Sequence, residues 1–329
     1  MKTKNLVLGA NGHLGNNIIR QLMDSNQPVT GSLRNLYDSS SLNIPNIEIV
    51  HADLMDKNSL VRAMNGIDIL YVTAAVYKSW AKNIQKEIID VNITGSKNVI
   101  EAAAQQGVKK IIYTSTTFVL NDSGSLADKP SRESNNADPY TYSKIEAEKL
   151  AWRLAERYNL EMISVLPSGM VGPHCYNHLT PTMEVLDSIL KNKIPIDPCF
   201  GFNLVDVRDV AAAMITAADK GKPGERYILA QPDPISSTEV FQLAHSLYPF
   251  VKIPKKAGYG MLIGIAVLSE LISKINGKKP LMFRSQVRHM YKADFRFDIS
   301  KSASELGFNP RPTGKALKEV FNYLLNERK

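Results

Sequence analysis

Along the first half of the chain, short uninterrupted apolar runs alternate with segments whose apolar positions recur every three or four residues. Asn5–Leu8, Val29–Leu33, Ile47–Val50, Ile67–Val72, Lys110–Thr114 and Met162–Leu166 read as strands. Between the first two, Leu14, Ile18 and Leu22, joined by Ile19 and Met23, share one helical face. A later helix carries Val91, Val99 and Ile100 and ends near Gly107. Strands apolar at consecutive positions are covered on both faces, the condition of a parallel sheet between helix layers. The pattern predicts an α/β chain with a doubly wound parallel sheet.

After Leu166 the punctuation changes. Prolines at 167, 173, 181, 195, 198 and 223 break the chain into shorter elements, as in a loop-rich lobe over the carboxyl edge of a sheet. One segment, residues 258–275, stands out: MLIGIAVL is followed by SELISKI. Its unbroken apolar run is too short for a bilayer span, and Glu270 and Lys274 interrupt its continuation. We expect a buried helix of the second lobe. A lid or an interfacial helix in peripheral membrane contact is the less favoured expectation, raised by lysine pairs at both ends.

Composition narrows the classes. The 329 residues are 44% hydrophobic and 22% charged, ordinary for a soluble globular protein. A net charge of +8 admits anionic ligands, but the basic residues are scattered along the sequence, with pairs at Lys109–Lys110, Lys255–Lys256 and Lys278–Lys279. No basic stripe or nucleic-acid motif is present, so no nucleic-acid partner is expected. Cys175 and Cys199 have neither metal spacing nor a disulfide framework, and MKTKNLVLGANG lacks a signal-peptide apolar region. Both facts point to reduced thiols and a cytoplasmic protein. His174 and His178 have helical metal spacing, but prolines 173 and 181 bracket them and no third ligand is evident, so no metal is expected.

Candidate chemistry begins at NLVLGANGHLGNNII, where Gly9, Gly12 and Gly15 follow the first strand and open the first helix. A pyrophosphate needs close backbone amides and the positive end of a helix dipole, and side chains at the tight points would block it. Within a strand–turn–helix unit the triplet is a specific signal. A second signal is DPYTYSK, residues 138–144. Asp138 is a good N-cap and Pro139 suits the first turn. Tyr140 and Lys144 are four apart and share a helix face, whereas Tyr142 finds Glu146 at that offset. A lysine cation ~4 Å from a phenol supplies about 4 kcal/mol at an effective dielectric near 20, enough to bring the phenol down from ~10 toward neutrality. That would make Tyr140 an acid–base catalyst.

GANGHLG, with G-x-x-G-x-x-G spacing, resembles the extended short-chain dehydrogenase/reductases. So do VNITGSKNVIEAAAQQGVKKIIYTST, YTYSKIEAEKLA, VLPSGMVGP, FNLVDVRDVA and RFDISKSASELGFNPRP, which together cover nearly the whole chain. Within that branch the chain is most similar to dihydroflavonol-reductase-like and hopanoid-associated epimerase-like proteins. The resemblance implies a Rossmann-type dinucleotide domain over residues 1–166, with 203–230 returning to it. The smaller substrate lobe would comprise 167–202 and 231–329. Gly9, Asn11, Gly12, His13, Leu14 and Gly15 would hold the cofactor's phosphates. Asp53 and Leu54 of HADL would meet the adenine, Thr73, Ala74 and Ala75 of VTAA would lie under the cofactor, and Pro167 and Met170 would border the nicotinamide. NAD enzymes place a carboxylate at the end of the second strand. Here Arg34 stands there, a guanidinium suited to a 2′-phosphate, so NADP(H) is expected and NAD is the alternative.

For the site's hydroxyl, IIYTSTTFVLN offers Thr114, Ser115, Thr116 and Thr117. Relatives carry it three positions before a valine, which selects Thr116 over Ser115. The implied reaction is reduction of a small apolar ketone or aldehyde, with Thr116, Tyr140 and Lys144 as the catalytic group. Tyr77, Trp80, Phe118, His174 and Tyr176, with His178 nearby, would form a substrate wall. The competing expectation is a nucleotide-sugar epimerase or dehydratase using retained NAD. Against it, GFNLVDVRDV has Phe202 and Asn203 where such relatives often carry a diphosphate-binding arginine, and Arg208 lies beyond. A non-catalytic nucleotide sensor is the remaining alternative. A homodimer through helices over 91–104 and 140–155 is expected by analogy.

Overall fold

The computed structural model describes residues 3–42, 44–120, 138–175 and 179–327 of the chain. Strand β1 (Asn5–Leu8) leads into α1 (His13–Asp24), then β2 (Val29–Leu33), β3 (Glu48–His51), α2 (Lys57–Ala63) and β4 (Ile69–Val72). Helix α3 (Asp90–Gln106), β5 (Lys110–Thr114), α4 (Pro139–Arg157) and β6 (Glu161–Pro167) follow. Next come β7 (Gly169–Val171), α5 (Pro181–Leu190), β8 (Ile196–Asp197), β9 (Gly201–Phe202) and β10 (Leu204–Asp206). Helix α6 (Val207–Lys220) returns the chain to β11 (Arg226–Leu229). The remainder carries α7 (Ser237–Leu247), α8 (Tyr259–Asn276), α9 (Arg284–Met290), α10 (Ser300–Leu306) and α11 (Thr313–Asn322).

Among the described residues, seven strands pair in parallel in the order β11-β6-β5-β4-β1-β2-β3, the arrangement of a Rossmann-type sheet. Every residue of β1 is buried, which is why that strand reads as a continuous run rather than an alternating one; β11, RYIL, is buried throughout as well. On one face Ile18 and Leu22 of α1 pack with Val210, Met214 and Ala217 of α6. On the other, Val99 and Ala103 of α3 pack with Ala151 and Ala155 of α4. The strand order reverses between β1 and β4, so their carboxyl ends open a crevice where ligands of such sheets bind.

The lobe has its own core of Met183 and Leu186 from α5, Phe241 from α7, and Val320 and Phe321 from α11; Cys175 is buried in it. Ion pairs tie α11 to the start of α6: Arg208 holds Asp206 and Glu319, and Arg311 holds Asp209 at 2.7 Å. Arg208 therefore ties elements together.

The expectation for residues 258–275 is overturned. They do form a helix, α8, but only Leu262 and Ala266 in it are buried. Met261, Leu268, Leu271 and Ile272 face solvent, and Ile275 is 88% exposed.

Candidate active site

The glycine turn occupies the crevice edge. Gly9 has φ +85°, and a Cβ there would meet the Ala74 backbone at 3.0 Å. At Gly15 a Cβ would come within 2.2 Å of the Gly9 carbonyl, so this glycine lets α1 pack closely on the turn. Gly12 is different: it is exposed, and the nearest atom to an added Cβ is again the Gly9 carbonyl, at 3.2 Å. Gly12 is the N-cap of α1 and no side chain caps the helix. Uncapped amides, a helix dipole and no side chain in the way are what a pyrophosphate requires, so this turn fits a dinucleotide.

Asn11 is exposed beside Gly12, while Leu14 packs into the core. His13 turns inward, its Nε2 donating to the Gly172 carbonyl at 3.1 Å. Burial lowers its pKa to about 4, so it is neutral. Thr73 donates to the Leu8 carbonyl at 2.6 Å, fixing the end of β4 against β1. Ala74 and Ala75 follow it across the crevice and line a small cavity with Leu54, Thr114 and Lys144. Arg34 directly follows β2 and is exposed, with no ion-pair partner among the described residues. Asp53 sits beyond β3, its carboxylate accepting from the Met55 amide at 2.9 Å.

Helix α4 starts as its sequence dictates: Asp138 accepts from the amides of Tyr140 and Thr141 at 3.1 and 3.3 Å, with Pro139 in the first turn. This cap sets Tyr140 against the end of β5, where the Thr116 side chain adjoins its hydroxyl and works to lower its pKa. Ser115 points elsewhere, donating to the buried Glu148 at 2.6 Å. Of the two hydroxyls weighed from the sequence, only Thr116 is at Tyr140.

The electrostatics differ from the expected pairing. Lys144 Nζ donates to the Thr114 carbonyl at 2.8 Å and lies 5.3 Å from the Tyr113 ring centre. Burial lowers its pKa to about 8, against the opposing pull of Glu148. The Tyr140 hydroxyl is pushed well above the ordinary phenol range, by burial first and then by Tyr77 and Asp138; Thr116 offsets part of this. Lys144 is turned to the backbone and does not lower it. The expectation of a phenol brought toward neutrality is corrected: Tyr140 here is a protonated donor.

Aromatic rings roof the pair. Tyr77 lies 4.9 Å from the Tyr140 ring and Phe118 lies 6.5 Å from it, edge-on. His289 of α9 stacks 5.9 Å from Phe118 and 5.2 Å from Phe295. Trp80 makes no ring contact with these groups among the described residues. Nor does His174 belong to the wall: its electrostatic neighbours are Arg20, His13 and Arg208, behind the glycine turn, and burial lowers its pKa to about 4. Tyr176 and His178 lie outside the described residues. Pro167 ends β6 and is buried, and Met170 on β7 packs against the sheet's core.

The sequence reading missed two features. Asn92 on α3 donates to Ser143 of α4 at 2.8 Å and clamps both backbone groups of Val76, joining α4 to the loop that follows β4. His289 and Phe295 close the wall from the far lobe. A lone polar residue on an apolar helix face hinted at Asn92; nothing in the sequence pattern pointed to the other two.

The sequence model described as the NAD dependent epimerase/dehydratase family matches residues 5–230. The chain belongs to this family. It is 28% identical over 329 residues to sterol demethylase protein B of Methylococcus capsulatus, covering 96% of both chains. A Synechocystis protein with a provisional dihydroflavonol 4-reductase name is 29% identical over 331 residues, covering 97% of this chain and 94% of that one. Among solved structures, that of gox2253 superposes with a TM-score of 0.83 at 28% identity, covering 99% of each chain. Members of the NAD dependent epimerase/dehydratase family, the extended short-chain dehydrogenase/reductases, are nicotinamide-dependent oxidoreductases.

Proposed function

We propose that this protein is an NADPH-dependent reductase of an apolar ketone or aldehyde. The observation that carries the reading is the Tyr140–Thr116 hydroxyl pair held beneath Tyr77, Phe118 and His289. A carbonyl oxygen between the two hydroxyls would accept a hydrogen bond from Thr116 and a proton from Tyr140. The raised pKa of Tyr140 keeps that proton in place until negative charge develops on the substrate oxygen. The glycine turn would hold the pyrophosphate and Arg34 the 2′-phosphate, with Lys144 beneath the ribose. Bound there, the nicotinamide supplies the hydride.

The rings leave few polar contacts for a sugar. Asn203, where a diphosphate clamp would stand, is spent on the carbonyls of Gln231 and Phe295 at 2.8 and 3.0 Å. The relatives' names, a sterol enzyme and a dihydroflavonol reductase, direct attention to fused-ring ketones. The test is NADPH oxidation against a panel of fused-ring ketones, aryl aldehydes and sugar nucleotides. Turnover of the ketones with NADPH is expected; turnover of sugar nucleotides alone would overturn the reading.

A further inference from the structure

Helix α8 is built inside out for a water-soluble lobe. Its inward side is short and partly polar: Leu262 and Ala266 pack near Phe200, Ala257 and Val287, while Ser269 bonds the Met282 carbonyl at 2.7 Å and Ser273 that of Lys278. Its outward side carries Met261, Leu268, Ile272 and Ile275, spaced seven, four and three residues apart as one stripe, with Leu271 beside them. Leu281, in the turn after α8, is 84% exposed. Of the 17 large hydrophobic side chains exposed among the described residues, 10 fall between Phe250 and Leu281. Such concentration marks a contact surface rather than scattered exposure.

The charge is concentrated at the same place. Residues 252–292 hold nine Lys and Arg against one carboxylate, Glu270, a difference of +8. The whole chain has 40 basic and 32 acidic residues, also +8, so the remainder is neutral. All nine basic side chains are exposed. Glu270 is occupied by Arg284 at 2.7 Å. The excess lies within one contiguous stretch of sequence, and α8 with its exposed apolar stripe runs through the middle of it.

We propose that the outward face of α8 docks the protein on an anionic lipid bilayer, lying in the headgroup region with its flanking lysines on lipid phosphates. An apolar stripe bordered by exposed lysines is the composition of an interfacial helix. By length and hydropathy α8 could also span a bilayer. Its inward side, however, is fixed to the lobe by the contacts above. A second copy is a poor occupant, because facing two such surfaces would oppose +8 with +8. The docking face adjoins the site wall: α9, which follows α8, carries His289 against Phe118. Docking itself stands independently of the reductase reading; entry of an apolar substrate from the lipid side rests on it.

The test is co-sedimentation of the full chain, without cofactor, with phosphatidylcholine vesicles that contain or lack phosphatidylglycerol. We expect partition onto the anionic vesicles at least about tenfold stronger than onto neutral ones, weakened by high salt. Leu268→Ser with Ile272→Ser should abolish it, and Lys278→Glu with Lys279→Glu should weaken it about tenfold or more. These four positions are exposed, and an unchanged thermal melt shows that each variant folds. Failure of the wild-type chain to bind anionic vesicles would overturn the proposal, as would binding unaffected by the apolar pair. So would a dimer in solution that the same pair dissociates, since a second copy would then be the occupant. Because no turnover is measured, failure here leaves the reductase reading untouched.

Discussion

Lys144 and Thr114 are joined side chain to backbone: the lysine Nζ lies 2.8 Å from the threonine carbonyl, two residues before Thr116. The contact fixes the ammonium beneath the crevice, in surroundings that lower its pKa from 10.5 to about 8. Below pH 8 the folded chain therefore holds a buried charge that the unfolded chain leaves in water. Between about 8 and 10.5 the unfolded state binds more protons, so stability rises with pH across that window. Lys144→Met should stabilise the protein at pH 7 by up to about 3 kcal/mol, the gain shrinking toward pH 10.5. Chemical denaturation at several pH values checks this. Reduction by the variant should fall at least about a hundredfold, and wild-type kcat/KM for reduction should decline as pH rises through about 8.

Hydroxyl deletions separate catalysis from scaffolding. Tyr140→Phe should lower kcat by about a thousandfold or more and Thr116→Ala by about ten- to a hundredfold, with Tyr142→Phe close to wild type. Steady-state NADPH oxidation measures all three. Comparable losses in Tyr140→Phe and Tyr142→Phe would refute the assignment.

Ser115 belongs to a different structure, the buried cluster on Glu148. That carboxylate accepts from Ser115, from Ser164 at 2.8 Å, and from Arg226 at 3.0 Å, binding α4 to β5, β6 and β11. Glu148→Ala removes the buried carboxylate that Arg226, 3% exposed, pairs with and should cost about 3–5 kcal/mol. Ser115→Ala should cost about 1–3 kcal/mol while kcat changes less than about threefold. Urea unfolding together with turnover distinguishes the two roles.

Arg34 is exposed and has no ion-pair partner among the described residues, so its removal disturbs no packing. Arg34→Ala should weaken NADPH binding by about ten- to a hundredfold and leave NADH unchanged, as read by cofactor fluorescence titration. Equal wild-type affinities for the two cofactors would overturn the NADP(H) reading.

His13 gives the fold an acid sensitivity. Its pKa falls from 6.5 to about 4 because burial disfavours the imidazolium. The unfolded chain binds the proton first, so this stability is complete above about pH 6.5 and is lost as pH falls through about 4. His13→Asn should flatten thermal stability across that range, removing up to about 3 kcal/mol of pH dependence. His174, also lowered to about 4 mainly by burial, should leave a residual slope in the variant.

Much of this protein was legible along the chain. Unbroken apolar runs set the parallel sheet because strands covered on both faces need no alternation. The glycine triplet and the capped DPYTYSK turn are local features, so their spacing was enough to place the turn and the helix start. Ser115 and Thr116 are neighbours of similar chemistry, and only the fold turns one to Glu148 and the other to Tyr140. Periodicity shows that α8 has an apolar face but not whether protein covers it, and the fold leaves that face outward. His289 reaches Phe118 from 171 positions away, a contact fixed by how the lobe closes over the sheet. Spacing in sequence encodes what shares a turn of helix; what meets across the crevice, and which apolar face stays bare, is decided by packing.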